Sequence, residues 1–238
     1  MMDDLSGQRV LVVGGSSGLG LATAQAAARL GAAVTVASRS QDKLDAAVSA
    51  IGAGAGGRVL DITSDAAVEA FFADGAVYDH VVVTAAQTKV AAARELPLAD
   101  AFASMNSKFW GAYRVACAAP IRDGGSLTLV TGVLAIRPRK GAAIQGAINA
   151  GLEALAQGLA LELAPVRVNA ISPGLVVTPL YDRMAEEARQ AMYDRAAATL
   201  PAGLVGRPEH IATQILAFIT NPYATGSTVY IHGGSALI

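Results

Sequence analysis

Cysteine is almost absent from this sequence: its 238 residues contain one, Cys117. A single cysteine excludes an internal disulfide framework and a cysteine metal cluster, and it suits a reducing compartment. We expect Cys117 to pack inside its helix, and we expect no metal site.

Charge is also scarce, at 16% of the residues, and it nearly cancels to a net charge of −1. The chain therefore lacks the basic footprint of a nucleic-acid-binding protein. The hydrophobic share is 53%, which excludes intrinsic disorder and indicates a large buried core.

Long hydrophobic runs and a targeting signal are missing as well. No residue between Val10 and Ala28 is charged, but four glycines, two serines, Thr23 and Gln25 interrupt this segment. It is therefore not a predominantly apolar span of ~20 residues. The first ten residues, MMDDLSGQRV, are acidic and contain no apolar core of a signal peptide. We expect a cytoplasmic protein with no membrane span.

The chain does contain a regular alternation of short β-branched runs and alanine-rich helical stretches. Strands are predicted at 9–13, 33–37, 58–61, 79–84, 126–130, 167–172 and 227–231, with a flexible loop at 52–57. Helices are predicted up to about residue 30, at 43–51, 64–72, around 98–119, at 142–165, near 184–198 and from 208. Most of these strands are apolar throughout, as a sheet covered on both faces requires. The sequence thus predicts one α/β domain over 1–238 with a doubly wound, mostly parallel sheet.

A glycine-rich turn follows the first predicted strand, in the segment VLVVGGSSGLG (10–20). Gly14, Gly18 and Gly20 lie between a strand and a helix, where glycine permits a tight turn and close approach of a pyrophosphate. The helix N-terminus then offers free N–H groups to the phosphates. This context predicts nucleotide binding, with a purely structural tight turn as the alternative.

The end of the second strand, VASRS (36–40), indicates which nucleotide. An acidic residue here would accept hydrogen bonds from the adenosine ribose and repel a 2′-phosphate. This chain instead has Ser38 and Arg39, and a guanidinium can pair with a 2′-phosphate. NADP(H) is therefore predicted in preference to NAD(H), with a solvated surface arginine as the alternative.

From about residue 7 to its end the chain resembles the short-chain dehydrogenases/reductases. The resemblance rests on Gly14-x-x-x-Gly18-x-Gly20, LDIT (60–63), MNSKFWGAYRV (105–115) and LALELAPVRVNAISPG (159–174), with GRPEHIA (206–212) and GSTVYIHGG (226–234) after them. It implies a single Rossmann-like domain with seven strands, a nicotinamide cofactor, and a substrate lid at about 174–207. It also implies a small-molecule substrate and a homodimer or homotetramer.

The resemblance further implies a set of cofactor contacts. Asp61 would contact the adenine, and Pro173, Gly174 and Thr178 would lie beside the nicotinamide. The remaining implied contacts are Ser16, Ser17 and Leu19 in the glycine-rich turn, Ile62 after Asp61, and Ala85 in TAAQ (84–87).

The catalytic pattern of that family is where this sequence departs. The family places a Tyr-x-x-x-Lys pair at the start of the helix predicted at 142–165, and a serine thirteen residues before the tyrosine. Alignment by LALELAP puts Gln145, Asn149 and Gly132 at the tyrosine, lysine and serine positions. Neither amide carries a titratable proton near neutral pH, and glycine brings no side chain. Of the family's catalytic set only Asn106 remains.

Three functions fit this combination. The first is an NADP(H)-dependent oxidoreductase of a small carbonyl or alcohol with unconventional proton donation. The second is a catalytically degenerate nucleotide-binding or partner subunit. The third is a non-redox isomerase or lyase on the same fold. Fold alone does not choose between them.

Overall fold

The computed structural model describes residues 4–238 as an α/β fold. Its strands are β1 Arg9–Val13, β2 Ala33–Ser38, β3 Ala55–Val59, β4 Tyr78–Val83, β5 Ile121–Val130, β6 Arg167–Pro173 and β7 Thr228–Ile231. Its helices are α1 Gly18–Arg29, α2 Gln41–Ile51, α3 Asp65–Phe72, α4 Leu98–Met105, α5 Gly111–Ala118, α6 Ala143–Glu162, α7 Glu186–Thr199 and α8 Pro208–Thr220.

The seven strands form one sheet in the order β3-β2-β1-β4-β5-β6-β7, and all neighbouring pairs are parallel. Successive residues of β1 face opposite sides: Leu11 and Val13 belong to one apolar cluster, Val10 and Val12 to the other. Residues of α3, α5 and α6 complete the first cluster, and residues of α1, α2 and α8 complete the second. The predicted doubly wound parallel sheet, covered on both faces, is confirmed.

The third strand is the element that sequence analysis placed wrongly. It was expected at 58–61 after a flexible loop at 52–57, but β3 is Ala55–Val59 and begins within the glycines. It pairs with β2 from Val34↔Ala55 to Ser38↔Val59. A Cβ atom on Gly57 would lie 3.2 Å from Leu44 of α2. Small residues therefore let α2 pack closely on this edge strand, which the weak strand propensity of glycine concealed.

The helix expected around 98–119 is divided by a π-helical turn at Asn106–Trp110, between α4 and α5. Such turns widen a helix locally and often occur at functional sites. Lys108, in the middle of this turn, is buried. Cys117 of α5 is exposed, so the expectation that it packs inside its helix is wrong. The apolar residues Val115 and Ala116 occupy the core-facing positions beside it.

Across residues 4–238, every helix is too short or too polar to traverse a lipid bilayer.

Candidate functional site

The glycine-rich turn lies at the carboxyl end of β1, in the middle of the sheet. Gly14 has φ +90°, and a Cβ atom there would lie 2.5 Å from the backbone nitrogen of Ala85. A Cβ atom on Gly20 would collide with the carbonyl oxygen of Gly14. Both positions thus exclude a side chain, and the backbone of the turn packs closely against Thr84 and Ala85 just after β4; we call this turn the glycine cradle.

The cradle continues into the first turn of α1. Ser17 is the N-cap residue, but its side chain makes no capping hydrogen bond, and the first turn contains no acidic residue. The N–H groups at this helix end are therefore available to an anion, and the helix dipole favours one. Ser16 and Leu19 flank this end of the helix. Thr178, from the segment after β6, lies 3.5 Å from the position of a Cβ atom on Gly18.

Two charged groups lie beyond the carboxyl ends of β2 and β3. Arg39 follows β2 directly and is exposed. Asp61 accepts hydrogen bonds from the backbone N–H (2.9 Å) and the hydroxyl (2.7 Å) of Thr63. Burial alone would raise the pKa of Asp61, but these bonds and the charges of Arg39 and Arg114 hold the pKa below its usual value. Arg39 is thus close enough to act electrostatically on Asp61.

Of the other expected cofactor contacts, Ser38 ends β2, and its carbonyl accepts from Leu60. The side chain of Ile62 is buried, and a Cβ atom on Gly111 of α5 would lie 2.6 Å from its Cδ1. Only the backbone of Ile62 can therefore face a ligand. The amide of Ala85 donates to the carbonyl of Val13, 3.1 Å away.

Pro173 and Gly174 close the far side of the site. Pro173 is the last residue of β6, and the Gly174 amide donates to the carbonyl of Ile231 at 2.9 Å. A Cβ atom on Gly174 would lie 2.8 Å from Cα of His232. Glycine at 174 therefore lets the end of β6 pack closely against the end of β7.

Asn106 opens the π turn, and its Nδ2 donates to the carbonyl of Thr63 at 3.3 Å. The side chain thus joins the π turn to the segment after β3. Sequence analysis expected a structural-catalytic asparagine here, and that role stays a prediction.

Gln145 and Asn149 lie one turn apart at the start of α6. Gln145 is half-buried, and within residues 4–238 its side chain makes no hydrogen bond. Asn149 is 2% exposed, and a Cβ atom on Gly132 would lie 2.8 Å from its Nδ2. The structure thus brings Gly132, just after β5, against Asn149.

Sequence analysis missed four polar residues of this site: Lys108, Thr131, Glu153 and Tyr230. Nζ of Lys108 donates to the carbonyl of Thr131 and to Oδ1 of Asn149, both at 2.7 Å. Glu153 accepts from the Thr131 hydroxyl at 3.0 Å and from the Tyr230 hydroxyl at 2.7 Å. The 145, 149, 153 spacing along one helical face could have pointed to Glu153. No such signal exists for Lys108, because residue spacing does not predict the π turn that buries its side chain.

Burial lowers the pKa of Lys108 to about 8, and the negative charge of Glu153 opposes that shift. Lys108 is therefore mainly protonated at neutral pH. Burial and the bond to Glu153 raise the pKa of Tyr230 to about 12, so its phenol stays neutral.

Other candidate proton donors lie in the loops around the site. Tyr181 packs edge to face on Tyr193, with ring centroids 6.1 Å apart, and burial raises its pKa. Arg139 and Lys140 are exposed. No group of three His, Cys, Asp or Glu side chains within residues 4–238 is arranged to hold a metal ion.

Comparisons with known proteins find relatives over nearly the whole chain. A family model described as enoyl-(acyl carrier protein) reductase matches residues 13–236. The short-chain dehydrogenase/reductase ATR9 of Stachybotrys chlorohalonatus is 32% identical over 253 residues, covering 99% of this chain and 100% of that protein. A small-chain dehydrogenase crystallised in complex with NADPH is 32% identical, with a TM-score of 0.81 and coverage of 97% of this chain and 99% of that one.

A further solved structure is the NADPH-bound short chain oxidoreductase from Pseudomonas aeruginosa PAO1, described as containing an atypical catalytic center. It is 28% identical to this chain, with a TM-score of 0.84, and 98% of each chain is covered.

Proposed function

The chain belongs to the short-chain dehydrogenase/reductase family, and we propose that it is an NADP(H)-dependent oxidoreductase of a small carbonyl or alcohol substrate. The observation that carries this proposal is the tight glycine turn after β1, which only glycine at 14 and 20 permits, leading into the uncapped N-terminus of α1, where a pyrophosphate can bind. When bound, the nicotinamide cofactor supplies or accepts the hydride.

Arg39 is the residue that selects the phosphorylated cofactor. It is exposed at the carboxyl end of β2, where the adenosine ribose lies in dinucleotide-binding folds. It acts on Asp61 electrostatically, but within residues 4–238 the two side chains form no salt bridge. The guanidinium therefore remains available for a 2′-phosphate.

The segment at about 174–207 is the substrate lid. Its two ends are joined by a bridge between Val176 and Gly206, where the Val177 amide donates to the Gly206 carbonyl at 2.9 Å. Between them lies α7, which has one buried residue, Tyr193. A helix with so little buried surface can move as one body on a fixed base.

Gly132, Gln145 and Asn149 take the family's serine, tyrosine and lysine positions in this proposal. Proton transfer then passes through water or the substrate itself, and general acid–base catalysis worth ~10²–10⁴-fold is lost. The same residues favour a second candidate: a degenerate member that binds the nucleotide as a sensing or partner subunit, or one that isomerises or cleaves its substrate without redox change.

The protein acts as a cytoplasmic homodimer or homotetramer in this proposal. Large apolar side chains are exposed along neighbouring helices: Leu98 (76%) and Phe102 (71%) on α4, and Leu161 (83%) on α6. Trp110 in the π turn and Tyr113 on α5 are exposed as well, and their rings pack edge to face. Several large exposed apolar side chains on neighbouring helices favour an interface between subunits.

Calorimetric titration with NADPH and NADH tests the cofactor assignment. We expect tighter binding of NADPH, and Arg39→Ala should remove about tenfold or more of that preference, because a charge-assisted hydrogen bond is lost. Arg29→Ala, at an exposed arginine in the last turn of α1, is the matched control. Equal affinities in the wild type, or tighter NADH, would contradict the assignment.

A further inference from the structure

Lys108 is a buried cation whose partners are both at the candidate site. It is 8% exposed, and its Nζ lies 2.7 Å from the Thr131 carbonyl oxygen and from Asn149 Oδ1. It reaches these groups from the π turn between α4 and α5, not from the helix that carries Asn149.

This contact fixes which way the Asn149 amide points. A lysine ammonium has hydrogen-bond donors and no acceptor, so it requires the carbonyl oxygen of the amide. Nδ2, with its two N–H groups, is then turned towards Gly132. Within residues 4–238 this nitrogen has no protein acceptor, and it does not belong to the fully buried polar atoms without a partner, so solvent reaches it although the side chain as a whole is 2% exposed. An N–H donor that is fixed in direction and open to solvent can donate to a ligand oxygen in place of water.

The sheet order indicates which part of a dinucleotide lies there. Arg39 and Asp61 follow β2 and β3, on one side of β1. If the adenosine end lies over these strands and the pyrophosphate over β1, the other half must extend over β4 and β5. Gly132 lies just beyond the carboxyl end of β5, and Asn149 contacts it.

We propose that Lys108 is a positioning residue that holds Asn149 as a two-donor site for an oxygen atom in the nicotinamide half of NADP(H). The inference rests on the proposed function. The positive charge of Lys108 polarises the amide, which strengthens the bonds that its N–H groups donate.

The charged and titratable groups around Lys108 are few in the described part of the chain. Glu153 of α6 accepts from the Thr131 hydroxyl and acts electrostatically on Lys108, and Tyr230 of β7 donates to Glu153. The high pKa of Tyr230 keeps it neutral in the working range. With its pKa near 8, Lys108 is the group whose charge changes between pH 7 and pH 9.

The test compares NADPH with 2′,5′-ADP, which contains the phosphorylated adenosine end and lacks the nicotinamide half. Lys108→Met should weaken NADPH about tenfold or more and leave 2′,5′-ADP unchanged. Lys89→Met is the control, at an exposed lysine whose side chain pairs with Asp100. Equal NADPH affinity in Lys108→Met and the wild type would overturn the inference.

The pH dependence of NADPH affinity shows whether Lys108 acts through its charge or only by filling space. Wild-type affinity for NADPH, relative to 2′,5′-ADP, should fall as pH rises through about 8. Lys108→Met should show a flat profile at the weak level, and Lys108→Arg, which stays charged, a flat profile at the tight level. A wild-type profile that is flat from pH 7 to 9 contradicts the inference.

Asn149→Asp gives a second route that leaves Lys108 in place. The carboxylate still accepts from Lys108 but has no N–H group to offer, so NADPH should weaken as it does in Lys108→Met. A wild type that binds neither NADPH nor 2′,5′-ADP overturns the proposed function. A wild type that binds both, with both variants unaffected, overturns only the role of Lys108.

Discussion

Gly132 and Asn149 are packed so closely that a Cβ atom on residue 132 would lie 2.8 Å from Asn149 Nδ2. The two positions that resemble the family's serine and lysine sites therefore depend on each other. A substitution at residue 132 or 149 is therefore expected to affect the other residue as well.

Gly132→Ala should lower the free energy of unfolding by about 1–3 kcal/mol, because Asn149 must move and strain its bond to Lys108. In an Asn149→Ala background the same change should cost less, giving a measurable coupling energy. Gly158→Ala in α6, where nothing lies within 4 Å of the new Cβ, is the control and should be neutral or stabilising. Additive costs in urea unfolding would contradict the close packing.

Asn149→Lys should be destabilising by itself, by about 3 kcal/mol. The new ammonium would lie against that of Lys108, and a buried charge without compensation is costly. The double variant Lys108→Met, Asn149→Lys moves one positive charge from the π turn to α6, and it should recover most of the lost stability. Thermal unfolding of the two variants and of Lys108→Met decides this. A double variant no more stable than Asn149→Lys would contradict it.

Wild-type protein should reduce generic aldehydes and ketones poorly with NADPH, well below the ~10 s⁻¹ of an ordinary enzyme. The changes Gly132→Ser, Gln145→Tyr and Asn149→Lys, combined with Lys108→Met, should raise the rate. Each alone should do little, because catalytic groups acting as a unit are not additive.

Loss of NADPH absorbance measures these rates. The Tyr181→Phe variant tests whether Tyr181 donates the proton. Ordinary wild-type rates would refute the atypical site. If Tyr181→Phe then abolished them, the lid tyrosine would be the proton donor.

His80 should make stability fall in mild acid. Its ring nitrogens bond to Ser126 Oγ (2.8 Å) and Gln8 Oε1 (2.7 Å), and burial lowers its pKa from 6.5 to about 4. The unfolded chain therefore binds the proton more readily, so the free energy of unfolding drops as pH falls from 6.5 towards 4. Urea unfolding of wild type and His80→Gln checks this, since the variant should show a shallower decline. Parallel pH profiles would contradict it.

Phe102→Asp should shift the protein towards monomers, because it places a charge in the exposed apolar surface of α4. Tyr223→Asp is the control: Tyr223 is 96% exposed and lies in the loop before β7. Analytical ultracentrifugation at micromolar concentration measures the result. A monomeric wild type would contradict the oligomer itself.

The fold was readable from the sequence because strand propensity, helix periodicity and turn chemistry agree along most of the chain. The helix predicted at 64–72, for example, starts with Ser64, a residue type favoured at N-caps, and its side chain accepts from the Ala67 amide at the start of α3. β3 was misplaced because its glycines serve the close approach of α2, a tertiary requirement.

Only those parts of the candidate site that depend on local sequence could be predicted. The glycine cradle and Arg39 are local features in sequence, within a few residues of their strands. The contact from Lys108 to Asn149 joins residues 41 positions apart through a π turn. Local spacing cannot reveal such a pair. From the sequence alone, positions 132, 145 and 149 show only that the family's catalytic side chains are missing.

The buried charge of Lys108 has a consequence for folding as well as for binding. Its pKa is about 8 in the folded chain against 10.5 for an ordinary lysine, so the unfolded state holds the proton more tightly. Between pH 8 and 10.5 this group makes the folded state more stable as pH rises, and below pH 8 it costs on the order of 3 kcal/mol. At neutral pH the protein thus gives up part of its folding stability to keep one ammonium group charged beside Asn149.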